Sequence, residues 1–196
     1  TELLRQVIEQ SVLAAHRHVF GVFFWFVALS AMGLGPAGAV LYRMAEFGSR
    51  YWSYKSQVTG AATHDRLMNL SLKLFTWLDH VPSRMTAFGF AVVGNFEDAV
   101  DAWRRHAVLW VRPNEGTILS AASGALGVRL GGQAAPSADG RDVSRTLSQG
   151  DGSDVIDTEG STTGAPPEMA HLRSVVGLIW RSVVLWMLLR ALLARA

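Results

Sequence analysis

Four basic side chains stand beside aromatic or small polar neighbours in three separated stretches. Tyr42-Arg43 is followed by Tyr54-Lys55, Pro82-Ser83 leads into Arg84, and Pro113-Asn114-Glu115-Gly116 precedes Arg129. An arginine can hold phosphate or carboxylate through two parallel N–H bonds, and a lysine as a point charge. Folded together, Arg43, Lys55, Arg84 and Arg129 would form an anion pocket at a membrane face, with Tyr42, Asn114 and Gly116 as further ligand contacts. The competing explanation is ordinary basic flanking of membrane helices.

Other chemistry finds less support. His16 and His18 are two residues apart, about 200° around a helix, so they do not share a metal there. His64-Asp65 and Asp79-His80 are adjacent pairs that also point to different faces. No metal site is expected, and no catalytic residue is assigned. The chain has no cysteine, which excludes thiolate ligands, cysteine nucleophiles and disulfides. Walker A, HExxH and GxSxG patterns do not occur.

The elements that would carry these residues are helices. The chain has 196 residues, 49% hydrophobic and 17% charged, with a mean hydropathy of +0.21. The charged fraction is low for a soluble domain. Leu3, Leu4, Val7, Ile8, Val12 and Ala15 recur at helical spacing, with Glu2, Arg5, Gln6, Glu9 and Gln10 between them, giving an amphipathic helix. Val19–Tyr42 is 24 residues without a formal charge, enough to span a bilayer. Gly33, Gly35, Pro36 and Gly38 predict a break within it. Further helices are expected near 67–78, ending at Asp79–Pro82, and near 84–96 and 97–110. Tyr42, Tyr51, Trp52 and Tyr54 would form an interfacial belt.

Residues 133–170 lack aromatic side chains and hold seven acidic and two basic residues; they are expected to be a flexible polar loop. The remainder carries a net charge of +7, which suits lipid headgroups or a phosphorylated ligand. Val175–Ala194 is long enough for a second span, interrupted by Arg181 and Arg190. The expected architecture is therefore all-α and polytopic in a membrane. A helical core at 1–132 is followed by the loop at 133–170 and a C-terminal transmembrane helix at 171–196.

The order of motifs resembles the CobD/CbiB family of integral membrane proteins, which includes adenosylcobinamide-phosphate synthases, and the related AmpE proteins. Gly124-Ala-Leu-Gly127-Val-Arg-Leu-Gly131-Gly132 is similar to the family's "GALGVxLGG" block, and Pro113-Asn114-Glu115-Gly116 to the Pro-Asn-x-Gly before it. Tyr42-Arg43 with Tyr54-Lys55 resembles "YR…YK", and Pro82-Ser83-Arg84-Met85-Thr86-Ala87 resembles "PARLTA". Leu78-Asp79-His80-Val81-Pro82 is similar to an AmpE segment. Synthases carry acidic or amide residues where this chain has Leu13, Ala14, Arg17, the Lys73–Thr76 stretch and Leu119, whereas Glu9 is retained.

The resemblance implies a bacterial cytoplasmic (inner) membrane protein of the cobalamin-biosynthesis type, crossing the bilayer several times. It implies a corrinoid or phosphorylated small molecule as ligand and, were the chain a synthase, Mg-ATP and amide-bond formation. Partners would be the lipid bilayer and a membrane protein, not nucleic acid. Gly124, Gly127, Gly131 and Gly132 would form a structural block allowing close approach. The missing carboxylates weaken magnesium binding and set a second expectation beside the first: a non-catalytic, AmpE-like modulator of envelope or β-lactamase regulation. Family members are longer at the N-terminus, so the chain is expected to be a C-terminal piece of such a protein.

Overall fold

Backbone geometry explains where the long apolar run breaks. Gly33 (φ 80°) and Gly35 (φ 57°) adopt left-handed conformations that cost L side chains energy, and Pro36 has no amide with which to continue a helix. In the computed structural model, which describes residues 2–59, 62–131, 162–193 and 195, the preceding helix ends at Ala31 and the next begins at Ala37.

The helical boundaries around that break differ from those read in the sequence. Helix α1 (Glu2–Ala15) does not end before the apolar run. It passes through one π-helical turn, His16–Phe20, directly into α2 (Gly21–Ala31). The amphipathic segment and the first half of the apolar run are thus one continuous helical stretch. The second half supplies only the opening turns of α3 (Ala37–Thr59). Glu9, placed by spacing among the solvent-facing residues, is instead buried, because its carboxylate is used inside the fold.

Helix α4 runs from Ala62 to Val93 with Pro82 inside it, so the expected stop at Asp79–Pro82 is corrected. A proline withdraws the amide that would bond the carbonyl four residues earlier, here that of Leu78. Trp25 replaces it, its indole Nε1 donating to the Leu78 carbonyl at 3.1 Å. The real stop is at Gly94-Asn95, where Asn95 Oδ1 accepts from the Asp98 amide at 3.3 Å and starts α5 (Phe96–His106). The helix expected to reach residue 110 ends at His106 and gives way to a 3₁₀ turn, Ala107–Leu109.

Helix α6 (Pro113–Leu126) lies at the centre, packed against α4 and α5. Pro113 opens it, where a missing amide costs nothing. Gly127 closes it at φ 68°. Its small side chains let neighbours come close: a Cβ on Gly124 would lie 2.2 Å from the Asp98 carbonyl oxygen. Ile118 and Leu119 join Ile8, Val12, Leu13, Phe20, Phe90 and Trp110 in one apolar core, which extends to Val175 and Leu178 of α7 (Met169–Leu193).

The described residues contain helices and no sheet; an isolated parallel bridge joins Val128 to Ala165. Two stretches, Glu2–Ala31 and Met169–Leu192, are long and apolar enough to cross a bilayer. Of the expected polar loop, residues 133–161 lie outside the described residues, as does Gly132. Residues 162–165 are extended against 127–130: Arg129 N donates to Ala165 O at 2.9 Å and Thr162 N to Leu130 O at 2.8 Å.

Candidate functional site

A buried polar cluster lies where α3, α4, α6 and the π-turn meet. Asp79 of α4 is at its centre and is only 4% exposed. Its Oδ1 accepts from His16 Nε2 and from the Tyr42 hydroxyl, each at 2.8 Å. His16 Nδ1 is 2.9 Å from the Thr86 hydroxyl, so the ring bridges Asp79 and Thr86. Asn114 Nδ2 donates to the Thr76 carbonyl at 2.9 Å and approaches Asp79 Oδ2 at 3.4 Å. Asn114 Oδ1 is buried and has no partner among the described residues.

The sequence builds this cluster by leaving space beside large groups. A Cβ on Gly21 would lie 2.4 Å from the Tyr42 ring, so glycine is what admits the tyrosine between α2 and α4. Phe75 packs on the other side of that ring, with centroids 5.6 Å apart.

Charged residues follow the buried ones along the chain. Arg17, next to His16, donates to Glu115 at 2.7 Å, and Arg112 reaches the same carboxylate oxygen at 3.1 Å. Arg43, next to Tyr42, contacts His18 Nδ1 at 2.8 Å and Glu46 at 2.9 Å. His80, next to Asp79, lies 3.0 Å from Arg84. Arg17, Arg43 and His80 are thus each one residue along the chain from a member of the cluster, with Cα atoms about 3.8 Å apart, and Arg84 contacts His80 from the next turn of α4. These flanking, mainly basic side chains form the rim of the cluster. Arg43 also borders a shallow depression of about 450 Å³ walled by Ala39, Val40, Met44 and Phe47.

The candidate contacts read from the sequence therefore separate. Tyr42 and Asn114 meet at Asp79, and Arg43 and Arg84 belong to the rim. Lys55 is further along α3, over the rings of Tyr51 and Trp52 at 5.5 Å each. Arg129 exposes its side chain beside the 127–130 and 162–165 pairing. Gly116 is buried where a Cβ would lie 2.5 Å from that of Trp110. Gly124 and Gly127 pack and cap α6, and Gly131 (φ 77°) donates its amide to Glu9 at 2.7 Å. Arg5 Nη1 donates to the Gly131 carbonyl at 2.9 Å.

Sequence reasoning missed Asp79, His16 and Thr86 as one unit. A signal was available: Asp79 is a lone acid between Phe75, Trp77, Leu78 and Val81, a setting in which a carboxylate needs partners. The order hydroxyl, imidazole, carboxylate can activate a nucleophile. Here all three groups are closed to solvent, and they tie helices together.

Comparison with known proteins bears on what the rim is for. The family model described as CobD/Cbib protein matches residues 1–156. The chain belongs to the CobD/CbiB family. It is 30% identical over 170 residues to "Cobalamin biosynthesis protein CobD" of Stutzerimonas stutzeri, covering 87% of this chain and 48% of that protein. It is 34% identical over 135 residues to the protein of the same name from Chromobacterium violaceum, covering 66% and 38%. The chain thus spans about half or less of the length of these CobD/CbiB relatives. No solved structure matches it at a significant level.

A synthase would use magnesium, which the described residues are not arranged to hold. No group of three or more His, Asp or Glu side chains among the described residues is placed to hold a metal. Leu13 and Leu119, at two positions where the resemblance implies polar or acidic groups, belong to the apolar core.

Proposed function

We propose that this chain is the ligand-binding part of a multi-pass protein of the bacterial cytoplasmic membrane. It takes a corrinoid or phosphorylated small molecule without catalysing amide formation. The observation that carries the ligand reading is the basic rim beside Asp79. Arg43 follows Tyr42, whose hydroxyl donates to Asp79, and Arg84 contacts His80, the chain neighbour of Asp79. Guanidinium groups in such a setting hold phosphate through charge-assisted hydrogen bonds. Tyr42 and Asn114 form the floor rather than touching ligand, and Lys55 and Arg129 lie away from it.

Membrane embedding is supported by the two long apolar stretches and by the way α3 is turned. It buries Glu46, Ser49 and Ser56 and exposes Val40, Met44, Phe47 and Val58, the reverse of a helix facing water.

The test is a titration of the full-length protein in detergent with adenosylcobinamide, adenosylcobyric acid and Mg-ATP, combined with an assay for amide product. Binding without product is the expected result. Product formation would overturn the non-catalytic reading. Neither binding nor product would favour the second reading, an AmpE-like modulator acting through a membrane protein partner. That reading has its own support in the apolar filling at Leu13 and Leu119.

A further inference from the structure

The outer part of the α3–α4 hairpin has an unusual distribution of charge and apolar surface. Its two acids are used within it. Glu46 is 2% exposed and takes Arg43 at 2.9 Å and Arg50 at 3.2 Å. Asp65 accepts from the Ser56 hydroxyl across the hairpin. Arg66 and Lys73 are exposed, and Lys55 is held against Tyr51 and Trp52 by cation–π contact. Glu46 is thus buried and the exposed Asp65 is hydrogen-bonded across the hairpin, while Arg66 and Lys73 face outward, so the outward charge is mainly cationic.

Between these cations lies an apolar surface at heptad-like spacing. On α3, Phe47, Tyr51, Tyr54 and Val58 are exposed, and on α4 Leu67, Leu70, Leu74 and Trp77, the last at 85%. A soluble surface with so many large side chains in register would be a liability. A bilayer core would instead have to take in Arg50, Lys55, Arg66 and Lys73, which is costly. Aromatic rings, aliphatic side chains and outward cations together match the headgroup region, where Trp and Tyr sit and anionic lipids attract Lys and Arg.

We infer that the outer α3–α4 hairpin is an interfacial arm that lies on anionic lipid headgroups, its apolar stripe dipping into the acyl boundary and its cations binding lipid phosphate. The inference rests on the membrane reading above, and the experiment separates the two.

Because the native chain has no cysteine, Leu70→Cys and Val184→Cys each give a single spin-labelling site. The full chain is reconstituted in nanodiscs of phosphatidylcholine, with and without phosphatidylglycerol. Accessibility to oxygen and to a water-soluble nickel chelate is then measured. The Val184 label on α7 reports membrane insertion and should favour oxygen in both lipids. The Leu70 label should favour oxygen at headgroup depth in the anionic discs and lose that preference in the neutral ones. It should lose it likewise in anionic discs when Lys55→Glu, Arg66→Glu and Lys73→Glu are combined. An aqueous Leu70 label in both lipids, with a lipid-exposed Val184 label, overturns the arm alone. A Leu70 label deep in hydrocarbon whatever the lipid charge overturns it in favour of a spanning hairpin. Spin–spin broadening between two labelled copies overturns it in favour of self-association. Aqueous labels at both positions overturn the membrane reading and the arm with it.

Discussion

His16 Nε2 and Asp79 Oδ1 are 2.8 Å apart, both nearly inaccessible, and 63 residues separate them in the chain. This contact fastens the π-turn between α1 and α2 to the middle of α4. The Tyr42 hydroxyl donates to the same oxygen, so a single carboxylate organises three helical segments. Burying such a group without partners would cost several kcal/mol, and the hydrogen bonds offset that cost.

Removing the carboxylate should therefore destabilise the fold more than removing any one of its donors. Asp79→Ala leaves His16 and Tyr42 without their acceptor and should lower stability by about 3 kcal/mol. Tyr42→Phe should cost about 1 kcal/mol. Denaturant unfolding in detergent measures both, and equal losses would contradict the central place given to Asp79.

The Trp25 indole and the Pro82 ring should be energetically coupled. Trp25→Phe removes the donor to the Leu78 carbonyl and should cost about 1–3 kcal/mol for a buried acceptor left unpaired. Pro82→Ala restores a main-chain amide to the same carbonyl. A double-mutant cycle should show that Trp25→Phe costs less in the Pro82→Ala background than in the native one.

That pair also shows what could be read from the sequence and what could not. Gly33, Gly35 and Pro36 marked the interhelical break because their effect is local and conformational. Pro82 looked equally disruptive, but the group that rescues it is 57 positions upstream. The same reason hid the role of Glu9: helical spacing placed it on a polar face, while its acceptor role depends on the Gly131 amide. Asn114 and Tyr42 were recognised by type as candidate ligand contacts, yet Asp79, which holds both, was not. Tertiary partners decide these assignments, and local periodicity carries no information about them.

Close packing at α6 predicts opposite outcomes for two glycines. Gly124→Ala would drive a methyl group into the Asp98 carbonyl and Ala99 Cα, costing about 1–3 kcal/mol through displacement of α5. Gly177→Ala, in α7, meets nothing within 4 Å and should be neutral, or stabilising by up to about 1 kcal/mol. Thermal unfolding of the two variants side by side distinguishes a packing role from a general intolerance of substitution.

Arg43 and Arg84, at the rim, should matter to a phosphorylated ligand where Lys55 and Arg129 do not. Affinity for adenosylcobinamide phosphate should be measured for the native chain, for Arg43→Ala with Arg84→Ala, and for Lys55→Ala with Arg129→Ala. Losing charge-assisted hydrogen bonds to phosphate should weaken binding about 10-fold or more in the first pair, with cooperative unfolding retained. The second pair should bind as the native chain does. Equal loss in both pairs, or none in the first, would contradict a ligand site at the rim of the Asp79 cluster.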